Sequence, residues 1–271
     1  MKISVLRGTL IIALTSIAMG VSATTAQACT RVLWNDNKYA VISTRSMDWE
    51  PETSRPKLVV SPRSVLRVGN QVGSAKIADS NPARWRAKYG SVTVTSMGVG
   101  VADGMNEKGL VAHTLWLNAS NFGTRDPGKP GLHDGLWVQY VLDNAATVKE
   151  VVAMAPNVQI TPLTLPDGLL VPLGLVVEDA SGDSAVLQYI NGALTIFHGR
   201  QYDVVANDPA YGKALQLVNP DGYANATRND PLPGNTNSQD RFVRATFYLD
   251  FLRRTTPSSL EAAKASLMSV A

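Results

Sequence analysis

Residues 26–34 read Ala-Gln-Ala-Cys-Thr-Arg-Val-Leu-Trp, and this stretch predicts where and how the folded domain begins. Small residues stand at its first and third positions, as they do before the bond that a signal peptidase cleaves. Cleavage of that bond would make Cys29, the single cysteine of the chain, the first residue of the mature protein. The apolar and β-branched residues 30–34 follow at once and predict a strand.

The sequence upstream of this stretch has the composition of an export signal. Lys2 and Arg7 form a basic start, and residues 10–23 are mostly apolar and carry no charge. The apolar run is shorter than the roughly 20 residues of a membrane-spanning helix. We therefore expect a secretory signal peptide over residues 1–28 and one folded domain over residues 29–271. The mature protein is then secreted, without attachment to the membrane.

The composition of the chain argues against several classes of function. The signal segment contains two of the 25 basic residues and none of the 22 acidic ones. The mature chain is therefore nearly neutral, and a nucleic-acid partner finds no support. An unpaired cysteine in an oxidising compartment indicates a reactive thiol or an intermolecular link. The three histidines lack metal-ligand spacing, so we interpret them as structural or surface residues and expect no metal: His113, His133 and His198.

Cys29 would combine the two groups that an N-terminal nucleophile requires. After cleavage it carries a thiol and a free α-amine, which ordinarily titrate within about one pH unit of each other. The amine can therefore take the thiol proton near neutral pH. Two other interpretations remain open. The cysteine could be a buried apolar side chain, or it could be a lipid attachment site, for which Ala26 is a poor match because an aliphatic residue is required there.

Two charged residues further along the chain are placed to assist this thiol. A strand predicted over residues 39–47 would pair with residues 30–34 across a turn at residues 35–37. Arg45, near the end of that strand, would then lie beside the cysteine and favour its thiolate. Asp48 would hold and orient the α-amine. An arginine and an aspartate three residues apart are otherwise ordinary surface charges.

Five motifs, in this order, resemble the choloylglycine hydrolase family, which contains bile salt hydrolases and penicillin V acylases among the N-terminal nucleophile hydrolases. A single motif of this kind is weak evidence, whereas five in order at compatible spacing are strong. They are Cys29-Thr30-Arg31 with Arg45 and Asp48; Arg84-Trp85 with Lys88-Tyr89-Gly90; residues 103–110, Asp-Gly-Met-Asn-Glu-Lys-Gly-Leu; Asn207-Asp208-Pro209; and Leu232-Pro233-Gly234 with residues 241–245, Arg-Phe-Val-Arg-Ala. The resemblance covers residues 29 to about 252, nearly the whole mature chain.

The resemblance implies five catalytic residues. Cys29 is the nucleophile, and Arg45 and Asp48 hold its thiolate and amine. Asn207 donates a hydrogen bond to an oxyanion, and Arg241 completes the polar site. These roles agree with the chemistry, because an amide carbonyl attacked by thiolate becomes an oxyanion that a side-chain amide N–H can stabilise. Neither a metal nor an organic cofactor is implied.

Two tryptophans are predicted to line the substrate pocket. Trp116 falls where many family members carry Asn or Tyr, at a position that supplies a backbone N–H to the oxyanion hole and a side chain to the pocket wall. Trp49 is a second candidate wall because it follows Asp48 directly. A pocket lined by tryptophan resembles the Gram-negative branch of the family, which includes penicillin V acylases and N-acyl-homoserine-lactone acylases. This resemblance implies that the secreted protein lies in the periplasm of a Gram-negative bacterium.

We therefore expect a small-molecule substrate with a linear amide, either penicillin V or an N-acyl-homoserine lactone, cleaved through a cysteinyl thioester. A conjugated bile salt hydrolase is the first alternative. The second is an exported, non-catalytic binding protein or lipoprotein on the same scaffold. Whether the protein forms a homo-oligomer stays open.

Periodicity predicts an α+β fold. Further strands are predicted at residues 91–97, 110–117, 170–178, 185–190 and 193–197, with turns at residues 103–104, 108–109, 181–183 and 191–192. Helices are predicted at residues 134–144, at 148–154 with a Thr147–Glu150 capping box, at 241–253 with the apolar stripe Phe242, Ala245, Tyr248, Leu249 and Leu252, and after a capping box at 258–261.

The resemblance implies how these elements assemble. N-terminal nucleophile hydrolases form a four-layer αββα sandwich, in which two stacked antiparallel sheets lie between helical layers. The family's C-terminal strands have no counterpart before Ala271. We therefore expect the domain over residues 29–271 to be C-terminally truncated.

Overall fold

The computed structural model describes residues 28–48, 55–72, 75–77, 79–98, 100–164, 168, 170–218, 226–227 and 229–270. The predicted signal peptide lies outside these residues, apart from the backbone of Ala28, and Trp49 also lies outside them. The described part of the chain forms 18 strands and five α-helices. None of these helices is long and apolar enough to span a lipid bilayer.

The strands are β1 (Ala28–Trp34), β2 (Ile42–Asp48), β3 (Lys57–Ser61), β4 (Leu66–Val68), β5 (Gln71–Val72), β6 (Ala75–Lys76), β7 (Arg84–Arg86), β8 (Ser91–Ser96), β9 (Gly100–Asn106), β10 (Val111–Trp116), β11 (Gly131–His133), β12 (Gln159–Thr161), β13 (Leu163–Thr164), β14 (Leu170–Val171), β15 (Leu173–Glu178), β16 (Ser184–Ile190), β17 (Ala193–His198) and β18 (Val204–Ala206). The helices are α1 (Trp137–Asn144), α2 (Val148–Met154), α3 (Tyr211–Ala214), α4 (Ser238–Arg253) and α5 (Leu260–Met268).

Two antiparallel sheets form the centre of the fold. The smaller sheet has the strand order β18-β1-β2, and the larger has the order β17-β16-β15-β10-β9-β8-β3. Side chains from both sheets share one buried cluster, which includes Cys29 of β1 and Leu115 of β10. Helices α1 and α2 pack on the outer face of the larger sheet, and α4 and α5 pack on that of the smaller sheet. The predicted four-layer αββα sandwich is thereby confirmed.

Strand β10 packs against a different layer of the fold on each of its two faces. It lies at the centre of the larger sheet, and five of its six residues are buried. Ala112 belongs to the cluster formed with α1, whereas Leu115 belongs to the cluster shared with β1. Successive side chains of a strand point to opposite faces, so an apolar residue at an odd spacing reaches the other layer.

The prediction of a turn at Asp103-Gly104 is wrong. Both residues lie inside β9, and the chain reverses only after Asn106, where Gly109 has a φ of +80°. Gly104 is instead a point of close packing: a Cβ there would lie 2.7 Å from Cδ1 of Leu142 and 2.9 Å from the carbonyl oxygen of Val92. The glycine therefore provides room for α1 and does not provide a turn.

Most of the other predicted elements are confirmed, with shifted ends. The strand predicted over residues 39–47 begins at Ile42, and the strand predicted over 170–178 is divided at Pro172 into β14 and β15. The turn at Asn191-Gly192 is present, with positive φ at both residues, as a tight hairpin between β16 and β17 requires.

The helix starts agree in part with the sequence. The Thr147 side chain accepts from the Glu150 N–H, as predicted. Helix α5 is capped by Ser259 and not by Ser258. The prediction that Tyr248 lies on the buried stripe of α4 is wrong: Tyr248 is 44% exposed, and Phe247 is buried in its place.

Candidate active site

Cys29 is the second residue of β1, the central strand of the smaller sheet, and it is 5% exposed. Its side chain points towards the larger sheet, as does that of Arg31 two residues later. The intervening Thr30 faces the other way and accepts from Nε of Arg241 in α4 at 3.1 Å. The alternation of β1 therefore places the thiol between the two sheets.

Arg45 on the neighbouring strand β2 is the cation nearest to the thiol. Its Nη2 lies 3.3 Å from the Cys29 Sγ and donates to the carbonyl oxygen of Thr114 at 2.9 Å, while its Nη1 pairs with Asp103. Burial on its own would lower the pKa of Arg45, but the charges of Asp103 and Cys29 outweigh it and raise that pKa. A fixed positive charge therefore faces the sulfur.

Asn207 follows β18 and connects three parts of the fold. Its Oδ1 accepts from the Cys29 backbone nitrogen at 2.6 Å and from Nη2 of Arg241 at 3.1 Å. Its Nδ2 donates to the carbonyl oxygen of Trp116 at 2.9 Å. The side chain is 2% exposed, so its amide plane is held by partners on β1, α4 and β10.

Arg241 lies in the first turn of α4 and is hydrogen-bonded to the start of β1. Its Nη2 donates to the Cys29 carbonyl oxygen at 3.3 Å and to the Asn207 Oδ1. Burial lowers the pKa of Arg241, although the charges of Asp48 and Cys29 act in the opposite direction. The guanidinium therefore fixes the nucleophile strand and the amide of Asn207 relative to each other.

The structure places Asp48 at the exposed end of β2, with its Cα opposite Ala28. The acceptor for the Cys29 nitrogen is Asn207, and here this nitrogen belongs to the peptide bond with Ala28. The contact between Asp48 and a free α-amine therefore stays a prediction. Cys29, Arg45, Asn207 and Arg241 are brought together.

An apolar cleft opens above the Cys29 thiol, and its empty volume of about 600 Å³ includes space open to solvent. Arg45 supplies its charged side. Trp116 is one wall, packs with Leu163 and Val171, and donates from Nε1 to Oδ1 of Asn118 at 2.8 Å. The other lining residues are mostly apolar or small: Met47, Ser96, Met97, Gly100, Val101, Ala102, Thr114, Gly135 and Leu173. Trp49, the other predicted wall, lies outside the described residues.

Sequence reasoning missed the partners of Arg45. The sequence predicts a turn at Asp103 and a structural or surface role for His113. In the structure His113 is 6% exposed, with Nδ1 2.6 Å from Oδ1 of Asp103 and Nε2 2.8 Å from Oε1 of Glu178. The sequence signal for a buried histidine is its place in a strand of apolar and β-branched residues, two residues from Leu115 and therefore on the same face. Within the described ranges, no group of three or more metal-ligating side chains is arranged to hold a metal ion.

Comparisons with known proteins show which proteins this chain is similar to. The family model described as linear amide C–N hydrolases, choloylglycine hydrolase family, matches residues 29–266. A penicillin V acylase from Pectobacterium atrosepticum is 36% identical over 250 residues, which are 88% of this chain and 64% of that protein. The chain thus spans less than two thirds of the length of that relative.

Solved structures show the same similarity. The penicillin V acylase of Agrobacterium tumefaciens superposes with a TM-score of 0.75 at 38% identity, over 89% of this chain and 71% of its own. A conjugated bile acid hydrolase from Clostridium perfringens gives a TM-score of 0.67 at 19% identity, over 88% and 78% of the two chains. At that identity the second similarity concerns the fold alone.

Proposed function

The chain belongs to the choloylglycine hydrolase family of linear amide C–N hydrolases, and from that premise we propose that it cleaves a linear amide with the thiol of Cys29 as the nucleophile. The observation that carries this proposal is the position of the Arg45 Nη2, 3.3 Å from the Cys29 Sγ at the base of an apolar cleft. An arginine at this distance favours the thiolate, which is the reactive form of cysteine.

Removal of residues 1–28 would supply the base. The Cys29 nitrogen would then be a free amine, and a hydrogen bond to Oδ1 of Asn207 would leave its lone pair available to the thiol proton. The thiolate attacks the carbonyl carbon of the substrate, and the carbonyl oxygen becomes an oxyanion. An amide nitrogen has two hydrogens, and the Nδ2 of Asn207 uses one on Trp116 among the described residues. The other can donate to the oxyanion.

Collapse of this intermediate breaks the C–N bond. The α-ammonium returns its proton to the leaving amine, and the acyl group stays on Cys29 as a thioester. Water then attacks the thioester carbonyl with the α-amine as base, which releases the carboxylic acid and restores the thiol. The cycle needs no metal and no organic cofactor.

The lining of the cleft supports an apolar acyl group. Methionine, leucine, valine and tryptophan side chains surround the space above the thiol, and such walls bury a flat ring or an alkyl chain favourably. The relatives at 36% and 38% identity are named penicillin V acylases. We therefore favour penicillin V, with N-acyl-homoserine lactones as a second substrate class, over conjugated bile salts.

Export to the periplasm belongs to the same proposal, because only cleavage after Ala28 frees the amine. Cys29→Ala should still be cleaved at this bond, since the cut is made by signal peptidase and not by the thiol, and it should show no turnover. Recovery of the variant from the periplasmic fraction checks the place of export, and its N-terminal sequencing checks the site of cleavage. A different first residue would contradict this route, and a lipid-modified cysteine in the wild type would favour a lipoprotein.

The test of function is a hydrolysis panel on exported wild-type protein with penicillin V, an N-acyl-homoserine lactone and glycocholate. We expect turnover of the first two and an acyl adduct on the single cysteine, detected by mass spectrometry after acid quench. A free Cys29 amine without turnover of any of the three would indicate a non-catalytic protein. A preference for glycocholate of about tenfold or more in kcat/KM, equivalent to about 1.4 kcal/mol, would reassign the substrate.

A further inference from the structure

Two arginines lie side by side on adjacent strands of the smaller sheet. Arg31 of β1 and Arg45 of β2 are paired in register, and both side chains face the larger sheet. Like charges directly opposite each other destabilise a strand pair. Each arginine is paired with a carboxylate of the larger sheet. Asp103 of β9 pairs with Arg45, and Glu178 of β15 lies 3.5 Å from Nε of Arg31.

His113 of β10 lies between these carboxylates. Asp103 is its partner in register, and Glu178 is two residues from its other partner, Val176, and therefore on the same face. Each ring nitrogen meets a carboxylate oxygen, at 2.6 and 2.8 Å. An ionised carboxylate can only accept, so both nitrogens must donate and the ring is an imidazolium. Burial would lower the pKa of His113, but Glu178 and Asp103 outweigh it and raise that pKa to about 9.

The result is a row of alternating charges that ends at the sulfur: Arg31, Glu178, His113, Asp103, Arg45 and then Cys29. Three cations stand against two carboxylates, so the row has one positive charge in excess. A thiolate on Cys29 neutralises it. With a neutral residue in place of the imidazolium, the row would already be balanced without the thiolate.

Other charged groups near the row are themselves occupied. The charge of Arg31 acts on Asp203, before β18, but Asp203 forms an ion pair with Arg253 of α4. At the other end, the charges of Asp48 and Cys29 both act on Arg241, whose guanidinium donates to the Cys29 carbonyl oxygen. Arg241 and Asp48 are the same in the wild type and in a His113 variant, so a difference between the two proteins reports on the five groups in the row.

We propose that His113 is a positioning residue whose imidazolium, acting through Asp103 and Arg45, stabilises the thiolate of Cys29. This rests on the proposed function only in taking Cys29 as the nucleophile. The imidazolium occupies Oδ1 of Asp103, so that carboxylate binds Arg45 through Oδ2 alone. The positive charge of His113 also offsets part of the negative charge of Asp103. The guanidinium of Arg45 is therefore less neutralised by Asp103 than it would be without the imidazolium, and its charge acts more strongly on the sulfur. A purely structural histidine would contribute to stability and leave thiol reactivity unchanged.

The test is the pH dependence of Cys29 alkylation by iodoacetamide, which reports thiolate and requires no substrate. The chain has one cysteine, so the adduct is unambiguous. His113→Gln should move the midpoint of the rate profile upward by about one pH unit, which means about tenfold slower alkylation below the midpoint. The matched control is His198→Gln, which removes a more exposed histidine–aspartate contact of 2.7 Å on β17 and should leave the midpoint in place. Equal midpoints for a folded His113→Gln and the wild type would overturn the proposal.

The wild-type protein supplies a second measurement that needs no substitution. Linkage is reciprocal, so a thiolate stabilised by the imidazolium must also hold the proton on His113. Alkylation by iodoacetamide removes the negative charge from Cys29. The ring NMR signals of His113 should then titrate about one pH unit lower in the alkylated protein than in the free-thiol protein. Coincident titration curves would overturn the proposal.

These experiments separate the inference from the proposed function. A shifted alkylation profile in a protein that hydrolyses no amide would support the charge row and contradict the enzyme. Full amide hydrolysis together with unshifted profiles in both measurements would support the enzyme and contradict the charge row.

Discussion

Replacement of Asn207 by alanine tests the proposed oxyanion donor directly. The side chain is buried, and its amide makes three hydrogen bonds: two accepted from the Cys29 nitrogen and Arg241, and one donated to the Trp116 carbonyl. The alanine variant removes the donor to the oxyanion but leaves the apolar cleft intact. Loss of one such donor lowers kcat by about 10²–10³, equivalent to about 2.7–4 kcal/mol of transition-state stabilisation.

The same substitution also affects stability, and the two effects can be separated. Each lost hydrogen bond costs roughly 0.5–1.5 kcal/mol, so the variant should be less stable by a few kcal/mol while remaining folded. Steady-state kinetics with penicillin V should show the loss in kcat, with KM changed little because the acyl group still packs against the same walls. Circular dichroism melting should report the stability separately.

Asn144→Ala is the matched control, since the Asn144 side chain donates to the carbonyl oxygen of Tyr140 at the end of α1, away from the cleft. Its kcat should equal that of the wild type. The oxyanion role is refuted if folded Asn207→Ala retains kcat within a factor of ten of this control, or if its defect appears in KM alone.

Three further substitutions test the pocket, a buried acid and a packing contact. Trp116→Ala leaves the backbone carbonyl that holds Asn207, so KM for penicillin V should rise about tenfold through lost aromatic contact while kcat changes less; an unchanged KM would remove Trp116 from the pocket wall. Burial raises the pKa of Asp134 to about 7; because the folded form then binds more protons than the unfolded form between pH 4 and 7, stability falls with rising pH in this window. In urea titrations, Asp134→Asn should abolish that fall, so its free energy of unfolding should rise relative to that of the wild type as the pH increases to 8. A difference between the two proteins that is constant with pH would contradict the raised pKa of Asp134. Gly104→Ala should destabilise by about 1–3 kcal/mol through overpacking against Leu142 and Val92, in contrast to Gly234→Ala, where a Cβ meets nothing within 4 Å.

The first strand and its hairpin partner were readable from the sequence because the evidence for them is local. An apolar and β-branched run occupies residues 30–34, and the partner strand follows after a turn rich in Asn and Asp. The cleavage after Ala28 and the reactivity of Cys29 stay predictions. The helix capped by Thr147 was readable for the same reason, since a capping box spans four residues. The layer order came from the resemblance to a family and not from periodicity.

The charge row could not be predicted because its contacts are distant in the chain and cross from one sheet to the other. Arg45 and Asp103 are 58 positions apart, and His113 and Glu178 are 65 apart. Asp103 precedes a glycine, and Asp-Gly is ordinarily a turn signal; here the glycine serves packing against α1, so the local rule was overridden. Register places Asp103 opposite His113, and only the stacking of the sheets brings Arg45 onto Asp103.

The inner face of β1 changes character within five residues, from Cys29 through Arg31 to Leu33. A buried ion pair contributes little net stability compared with apolar packing of the same volume, so the polar half of this face is not explained by folding. The apolar cluster around Leu115, Val176 and Val186 supplies the cohesion between the sheets. Arg45 belongs to the smaller sheet but is bound by Asp103 and the Thr114 carbonyl oxygen of the larger sheet. A small change in the stacking of the sheets would therefore move Arg45 relative to the thiol, and it would alter the reactivity of the thiol before it unfolds the protein. The polar half is therefore best explained by the chemistry of Cys29.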